Sequence, residues 1–400
     1  MTTARPRLDD RQRRIRLGRR HHLAGPARGG DVVAVAADLV GLHGSDPASV
    51  FLAARARLRR PERTVAALES ALYADRRLVR TLCMRRTMFV VPVDLVPVVQ
   101  AAVTDDLVPG ERRRAARLVE DHGIAADGAA WLAAMEAETL AALASLQEAT
   151  GAEVSKAVAG LNHQIPVGLG RTWAGTVGMT TRVLFLLATE QRIVRGRPKG
   201  TWTSSQYRWS PMEKWLPGGV PKLPAEAARA ELARRYLASF GPATSADLRW
   251  WTGWTAGRAT AALRAVGAVE VELAGDGAAP AWVLPDDVEP VRAAPPWVAL
   301  LPSLDPTTMG WQQRRWYLGR HAGALFDRNG NAGPTVWADG RVVGGWTQRR
   351  TGEVVHRLLD DVGRETAEAI AAAAAELESW LGPMRITPRF PTPLQKELSA

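Results

Sequence analysis

Residues 226–285 restrict the possible folds more than any other part of this 400-residue chain. AEAARAELARRYLASF reads as an amphipathic helix, and GPATSADLRWWTG as a turn, a Thr or Ser cap and a short second helix. WTAGRATAALRAVG reads as a third helix closed by Gly267, and AVEVELAGDGAAPAWVLP as a hairpin around an Asp276-Gly277 turn. Three helices and a β-wing in this order predict a helix-turn-helix variant.

Two other stretches carry the same ingredients. From Asp31 to Leu42 the spacing of Val32, Val33, Val35 and Leu39 predicts a helix ending at His43, with Gly44 in the left-handed position after it. Asp46-Pro47 then starts a second helix, with Asp46 as N-cap and Pro47 in the first turn. That helix turns Val50, Phe51, Ala54 and Leu58 inward and leaves Arg55, Arg57, Arg59 and Arg60 to solvent or phosphate. RTVAALESALYADRRLV is a third helix and RTLCMRRTMFVVP reads as strand. Within 150–215, the helix TTRVLFLLATEQ precedes RIVRGRPKGTWTSSQYRWSP, a wing whose tip is ringed by Arg192, Arg195, Arg197 and Lys199. A basic hairpin tip of this kind suits a DNA backbone or groove. Downstream, PWVALLPSLDP is a strand, NAGPTVWADGRVVGGWTQRR a hairpin ending in Arg349-Arg350, and RETAEAIAAAAAELESWLG a closing helix. The expected class is α+β, mainly helical, divided at 15–110, 111–222, 223–290 and 291–385, with an extended, Pro-rich tail over 386–400.

The formal net charge is +11, nearly all of it from arginine, whose guanidinium suits bidentate phosphate contacts. A GC-rich genome produces a similar excess of Ala, Arg, Gly and Val; nucleic-acid binding is the preferred reading. No run of eighteen apolar residues is present, and no hydrophobic signal segment follows the basic start, so a cytoplasmic protein without membrane contact is expected. Cys83 is the single cysteine, and the seven histidines show no HExxH spacing, so neither metal nor cofactor is expected.

GLHGSDPASVFLAARARL, MRRTMFVVP, GPATSADLRWWTGWTAGRATAAL, LLPSLDPTTMGWQQRR and GPTVWADGRVVGGW occur in an order that resembles the bacterial winged-helix DNA glycosylases of the AlkZ/YcaQ type. The resemblance covers roughly residues 15–380. It implies tandem winged-helix units in a C shape around a channel for duplex DNA, and excision of alkylated purines such as bulky N7-alkylguanine, in DNA repair or in self-resistance to an alkylating natural product. The family's motif is Gln, a small or apolar residue, then Gln or Asp, just before Asp-Pro. This chain keeps the frame but carries His43, Gly44 and Ser45, with Asp46 and Pro47 following. Many relatives also read Arg-Gly-Thr-x-His where this chain reads Arg85-Arg86-Thr87-Met88-Phe89.

At the motif position, His43 is the candidate base and Ser45 the candidate water-positioning group. A purine alkylated at N7 or N3 is cationic and leaves readily, so the enzyme must stabilise an oxocarbenium-like sugar and aim a water at C1′. No lysine stands where a Schiff-base nucleophile is needed, so hydrolysis without strand cleavage is expected. Asp46 and Pro47 are read as structural. Arg85, Arg86, Arg192, Arg195, Arg197, Lys199, Arg349 and Arg350 are the candidate DNA contacts. Trp250, Trp251 and Trp254 are read mainly as core, and Asp305 and Gln312–Arg315 as structural. The expected partner is double-stranded DNA, bound by a monomer. The competing reading is a DNA-binding protein of the same fold that shields or senses damage without catalysis.

Overall fold

The computed structural model describes residues 5–168, 174–274 and 280–399. Three segments repeat one order: a helix, a two-residue strand, two helices, then a hairpin. In the first, helix Val32–Asp38 leads to strand Leu42–His43, helices Pro47–Arg55 and Thr64–Glu69, and the hairpin Leu78–Leu82/Met88–Pro92. In the second the short strand is Ala149–Thr150 and the hairpin Ile193–Pro198/Tyr207–Pro211. In the third they are Ala243–Thr244 and Val269–Ala274/Pro280–Val283; the Asp276-Gly277 turn lies outside the described residues. Each time the short strand pairs antiparallel with the second hairpin strand, so the three small sheets share one strand order.

Local chemistry accounts for these boundaries. Thr244 accepts from the Asp247 N–H while Asp247 accepts from the Thr244 N–H, closing a capping box. Helix Ser245–Thr252 ends on left-handed Gly253. In the C-terminal sheet, Asp339 and Gly340 both take positive φ between strands Thr335–Ala338 and Arg341–Gln348, as a tight two-residue hairpin turn requires. Strand Val298–Leu301 pairs on the other side of Thr335–Ala338, and helix Arg364–Leu381 packs along the sheet.

One apolar cluster joins the first hairpin (Val79, Phe89, Val91) to the third segment (Tyr236, Phe240, Trp251, Trp254) and to Trp311, Trp316 and Trp337. A second packs the first segment on the C-terminal sheet and closing helix, with Trp202 against Phe51 and Trp380. The middle segment has its own core. Its helix Gly128–Leu146 is long and apolar enough to cross a membrane by length and composition, although it contains no unbroken apolar run of eighteen residues. It buries one face, with Leu132, Met135, Thr139 and Leu143, against the middle segment, and Glu136 on that face accepts from Arg112 at 2.9 Å.

Four expectations are corrected. The helix expected to end at His43 stops at Asp38: Val40 (φ 53°) and Gly41 (φ 106°) reverse the chain, and His43 lies in a strand. The third helix of the first segment does not run on to Val79. It ends in a π-turn at Ala74, and Leu78 and Val79 begin the hairpin. Arg57 is not available to solvent. It is fully buried and donates to both carboxylate oxygens of Asp305, at 2.6 and 2.9 Å. The tail is not extended throughout, because Pro393–Ser399 is a helix that buries Leu394 and Leu398. At the other end, Arg7–Asp9 pairs parallel with Glu272–Ala274, an addition to the third sheet that the N-terminal sequence did not suggest.

Candidate active site

His43 reaches the site through the reversal at Val40-Gly41. Leu42 and His43 pair with Val90 and Phe89, and alternation along a strand sends the two side chains to opposite faces. Leu42 enters the core, while His43 lines a cleft. A Cβ on Gly41 would lie 2.8 Å from Val91 Cγ1, so both space and positive φ favour glycine there. The Gly44 N–H donates to Met88 at 2.7 Å and its carbonyl accepts from buried Arg80 at 2.7 Å, fixing the backbone on which Ser45 sits. Asp46 occupies the N-cap position of helix Pro47–Arg55, yet its carboxylate accepts from the Ser49 hydroxyl at 2.6 Å rather than from a backbone N–H.

The cleft holds about 450 Å³ and is lined by His43, Ser45, Arg85, Trp250, Gln312 and Arg314 among others. The His43 Nδ1 is buried and has no hydrogen-bond partner among the described residues. Burial, and secondarily the positive charge of Arg85, lowers the His43 pKa to about 3. The imidazole is therefore neutral at every physiological pH. Such a ring is a good hydrogen-bonding group and a poor proton acceptor, which revises the expectation of a base near its ordinary pKa. Arg85 lies over one indole, that of Trp250, at 3.9 Å; Arg314 stacks on the same ring at 4.7 Å. Burial and Arg314 bring Arg85 down to about 10, still charged at neutral pH. Among the described lining residues there is no carboxylate.

Ser45 also borders a second cavity of about 610 Å³, whose lining includes Arg195, Lys199, Tyr207, Arg208 and Arg389. The Arg195 guanidinium sits near the rings of Trp209 (5.0 Å) and Tyr207 (5.9 Å), and no carboxylate pairs with it among the described residues. Burial, then Arg80, brings it to about 10. Two cationic cavities thus flank one serine.

The other candidate residues fall elsewhere. Arg86 donates to both oxygens of Glu111, at 2.8 and 3.0 Å, outside the His43 cleft. Arg197 bonds Glu69 at 2.8 Å and lies over Tyr73, docking the middle wing on the first segment. Arg192 lies 3.8 Å from Glu136. Arg349 donates to Glu353, and the exposed Arg350 accepts at its carbonyl from Arg385; neither lines the two cavities. Of the three tryptophans, Trp251 and Trp254 are core and Trp250 lines the cleft. Asp305 is structural through Arg57, as expected of that segment. Gln312 and Arg314, read as structural, line the cleft instead; the tail's contribution through Phe390 was missed, because it arrives by long-range packing with no local signal.

A helix-rich α+β chain with two cationic cavities meeting at Ser45, one of them lined by a buried neutral histidine, is suited to a polyanion. The AlkZ-like DNA glycosylase family model matches residues 36–380, and the chain belongs to that family. It is accordingly a DNA glycosylase. Its fold is similar to that of Streptomyces sahachiroi DNA glycosylase AlkZ, with a TM-score of 0.70 at 20% identity over 95% of this chain and 98% of that one. No curated protein matches the chain by sequence.

Proposed function

We propose that this enzyme hydrolyses the N-glycosidic bond of alkylated purines in duplex DNA, including bulky N7-alkylguanine, with His43 and Ser45 at the reacting centre. The observation that carries the reading is that both residues of the altered motif line one cleft beside the cationic Arg85. Alkylation at N7 makes the base a good leaving group, so departure runs ahead of attack and water needs aiming more than deprotonation. A neutral His43 and the Ser45 hydroxyl can hold that water between them. In a cleft without carboxylates, the negative charge opposite the oxocarbenium-like sugar comes from the flanking DNA phosphates, held by Arg85 on one side and by Arg195 and Lys199 on the other.

The three repeated helix–strand–helix–helix–hairpin segments support winged-helix units, arranged in a C around the duplex. The protein works as a monomer in the cytoplasm, on the nucleoid, in repair or in self-resistance to an alkylating natural product. The test is incubation with duplex carrying a single N7-alkylguanine and chromatography of free base. Release that disappears in His43→Ala upholds the proposal. Tight binding with no release from any N7 or N3 adduct overturns it in favour of a shielding role.

A further inference from the structure

The tail beyond the family match passes directly across the site. Arg389 Nη1 donates to the Ser45 carbonyl at 2.7 Å, and its side chain lines the Arg195 cavity. The next residue, Phe390, lines the other cavity, with His43 and Arg85. Adjacent residues of one strand of backbone therefore enter both cavities and straddle Ser45.

This crossing is anchored at both ends. Upstream, Arg385 donates to the carbonyls of Arg350 and Thr351, and the Ile386 N–H donates to Gln348 at 2.9 Å. Downstream, helix Pro393–Ser399 buries Leu394 and Leu398 against the C-terminal sheet. The family match stops at residue 380, so this bridge is a feature of the chain outside the matched region.

We propose that the bridge is a working part of the enzyme: Phe390 is a specificity residue that limits the size of base admitted beside His43, and Arg389 is a positioning residue for Ser45. This rests on the alkylpurine reading above. An aromatic wall in a cleft of about 450 Å³ takes up room that a bulky adduct needs, while a flat ring favours a small planar base. Arg389 holds the backbone of Ser45 and also adds its charge to the Arg195 cavity, so its loss should lower turnover by more than it weakens duplex binding.

The experiment uses the full chain and three duplexes: undamaged, carrying 2′-fluoro-stabilised N7-methylguanine, and carrying a 2′-fluoro-stabilised N7 adduct with a polycyclic substituent. Equilibrium Kd values are measured for wild type, Phe390→Ala and Phe390→Trp. Phe390→Ala is expected to shift the ratio of affinities toward the polycyclic adduct by roughly tenfold, and Phe390→Trp to shift it the other way. Ratios unchanged within about twofold in both variants overturn the proposal for Phe390. If wild type fails to prefer either damaged duplex over the undamaged one, the substrate reading itself has failed, a separately recognisable result. On cleavable substrate, Arg389→Ala is expected to lower kcat by a larger factor than it raises KM, with partial recovery of kcat in Arg389→Lys. A rise in KM alone, or no recovery with lysine, removes the positioning role.

Discussion

His43 stands directly opposite Phe89 in the antiparallel pairing of Leu42–His43 with Val90 and Phe89, their ring centroids 5.1 Å apart. The resemblance places a histidine in many relatives where this chain has Phe89, and a glutamine where it has His43. Against that pattern, the imidazole of this chain stands across one strand pair from position 89. The double variant His43→Gln/Phe89→His is expected to release base faster than His43→Ala, which should lose about 10²-fold or more. Single-turnover rates on an N7-alkylguanine duplex check this; a double variant as slow as the alanine would show that the two positions do not substitute for one another.

The pH behaviour follows from the lowered pKa of His43. An unfolded histidine takes up its proton near pH 6.5, the folded one only near pH 3. The stability associated with the neutral ring is whole above 6.5 and is lost as pH falls from 6.5 toward 3. His21, fully buried and also shifted well downward, acts in the same direction. Urea midpoints at pH 7.5 and pH 5 should differ less in His43→Gln than in wild type. Arg85 is the second cause of the shift, so Arg85→Gln should raise the His43 pKa, readable by NMR titration of the ring. An unmoved resonance would exclude the electrostatic link.

The buried pair Arg57–Asp305 ties helix Pro47–Arg55, just after the motif, to the segment that supplies Leu304 and Met309 to the cleft. Removing one partner leaves a buried charge without compensation. Asp305→Asn or Arg57→Met is expected to cost about 3–5 kcal/mol by urea denaturation, with the double apolar replacement costing less than the sum. Strict additivity would count against coupling of the two residues.

Gly41→Ala is expected to destabilise by roughly 1–3 kcal/mol, because alanine at φ 106° is strained and its Cβ meets Val91. The same variant should slow base release, since the reversal at Val40-Gly41 is what delivers His43 to the cleft. Normal activity at normal stability would mean that the strand tolerates another path.

Duplex affinity should be strongly salt-dependent. With roughly six to ten phosphates contacted, it should fall by about 10³–10⁵ between 50 and 200 mM salt. Arg195→Gln should reduce the slope, whereas Arg197→Gln, whose guanidinium is already on Glu69, should affect it less. Equal effects of the two would contradict the division of roles between them.

The third segment was readable because its punctuation is local: a Thr244–Asp247 box and a left-handed Gly253 are sequence neighbours of the helix they bound. The same logic failed at His43. A β-branched Val40 at positive φ has no sequence signature, and of the two glycines at 41 and 44 that could stop the helix, the earlier one does so. Arg57 looked like surface because its partner lies 248 residues away. Arg86 shows the converse. Relatives with glycine at that position fit its φ of 59°; here an arginine adopts it and closes on Glu111, a trade visible only in three dimensions. The site itself was half legible: the motif frame located His43 and Ser45, whereas Arg314, Phe390 and Arg389 arrive through long-range packing.

The short strand Arg7–Asp9 covers the outer edge of the third hairpin, beside Glu272–Ala274, and Arg5 reaches Glu270 at 2.8 Å. An expression fragment trimmed to residue 15, where the family resemblance starts, would uncover a row of unpaired backbone donors and acceptors on that edge. Shortened versions of this enzyme should self-associate through strand addition, so the first few residues act as a solubility cover for a part of the chain more than 250 positions downstream.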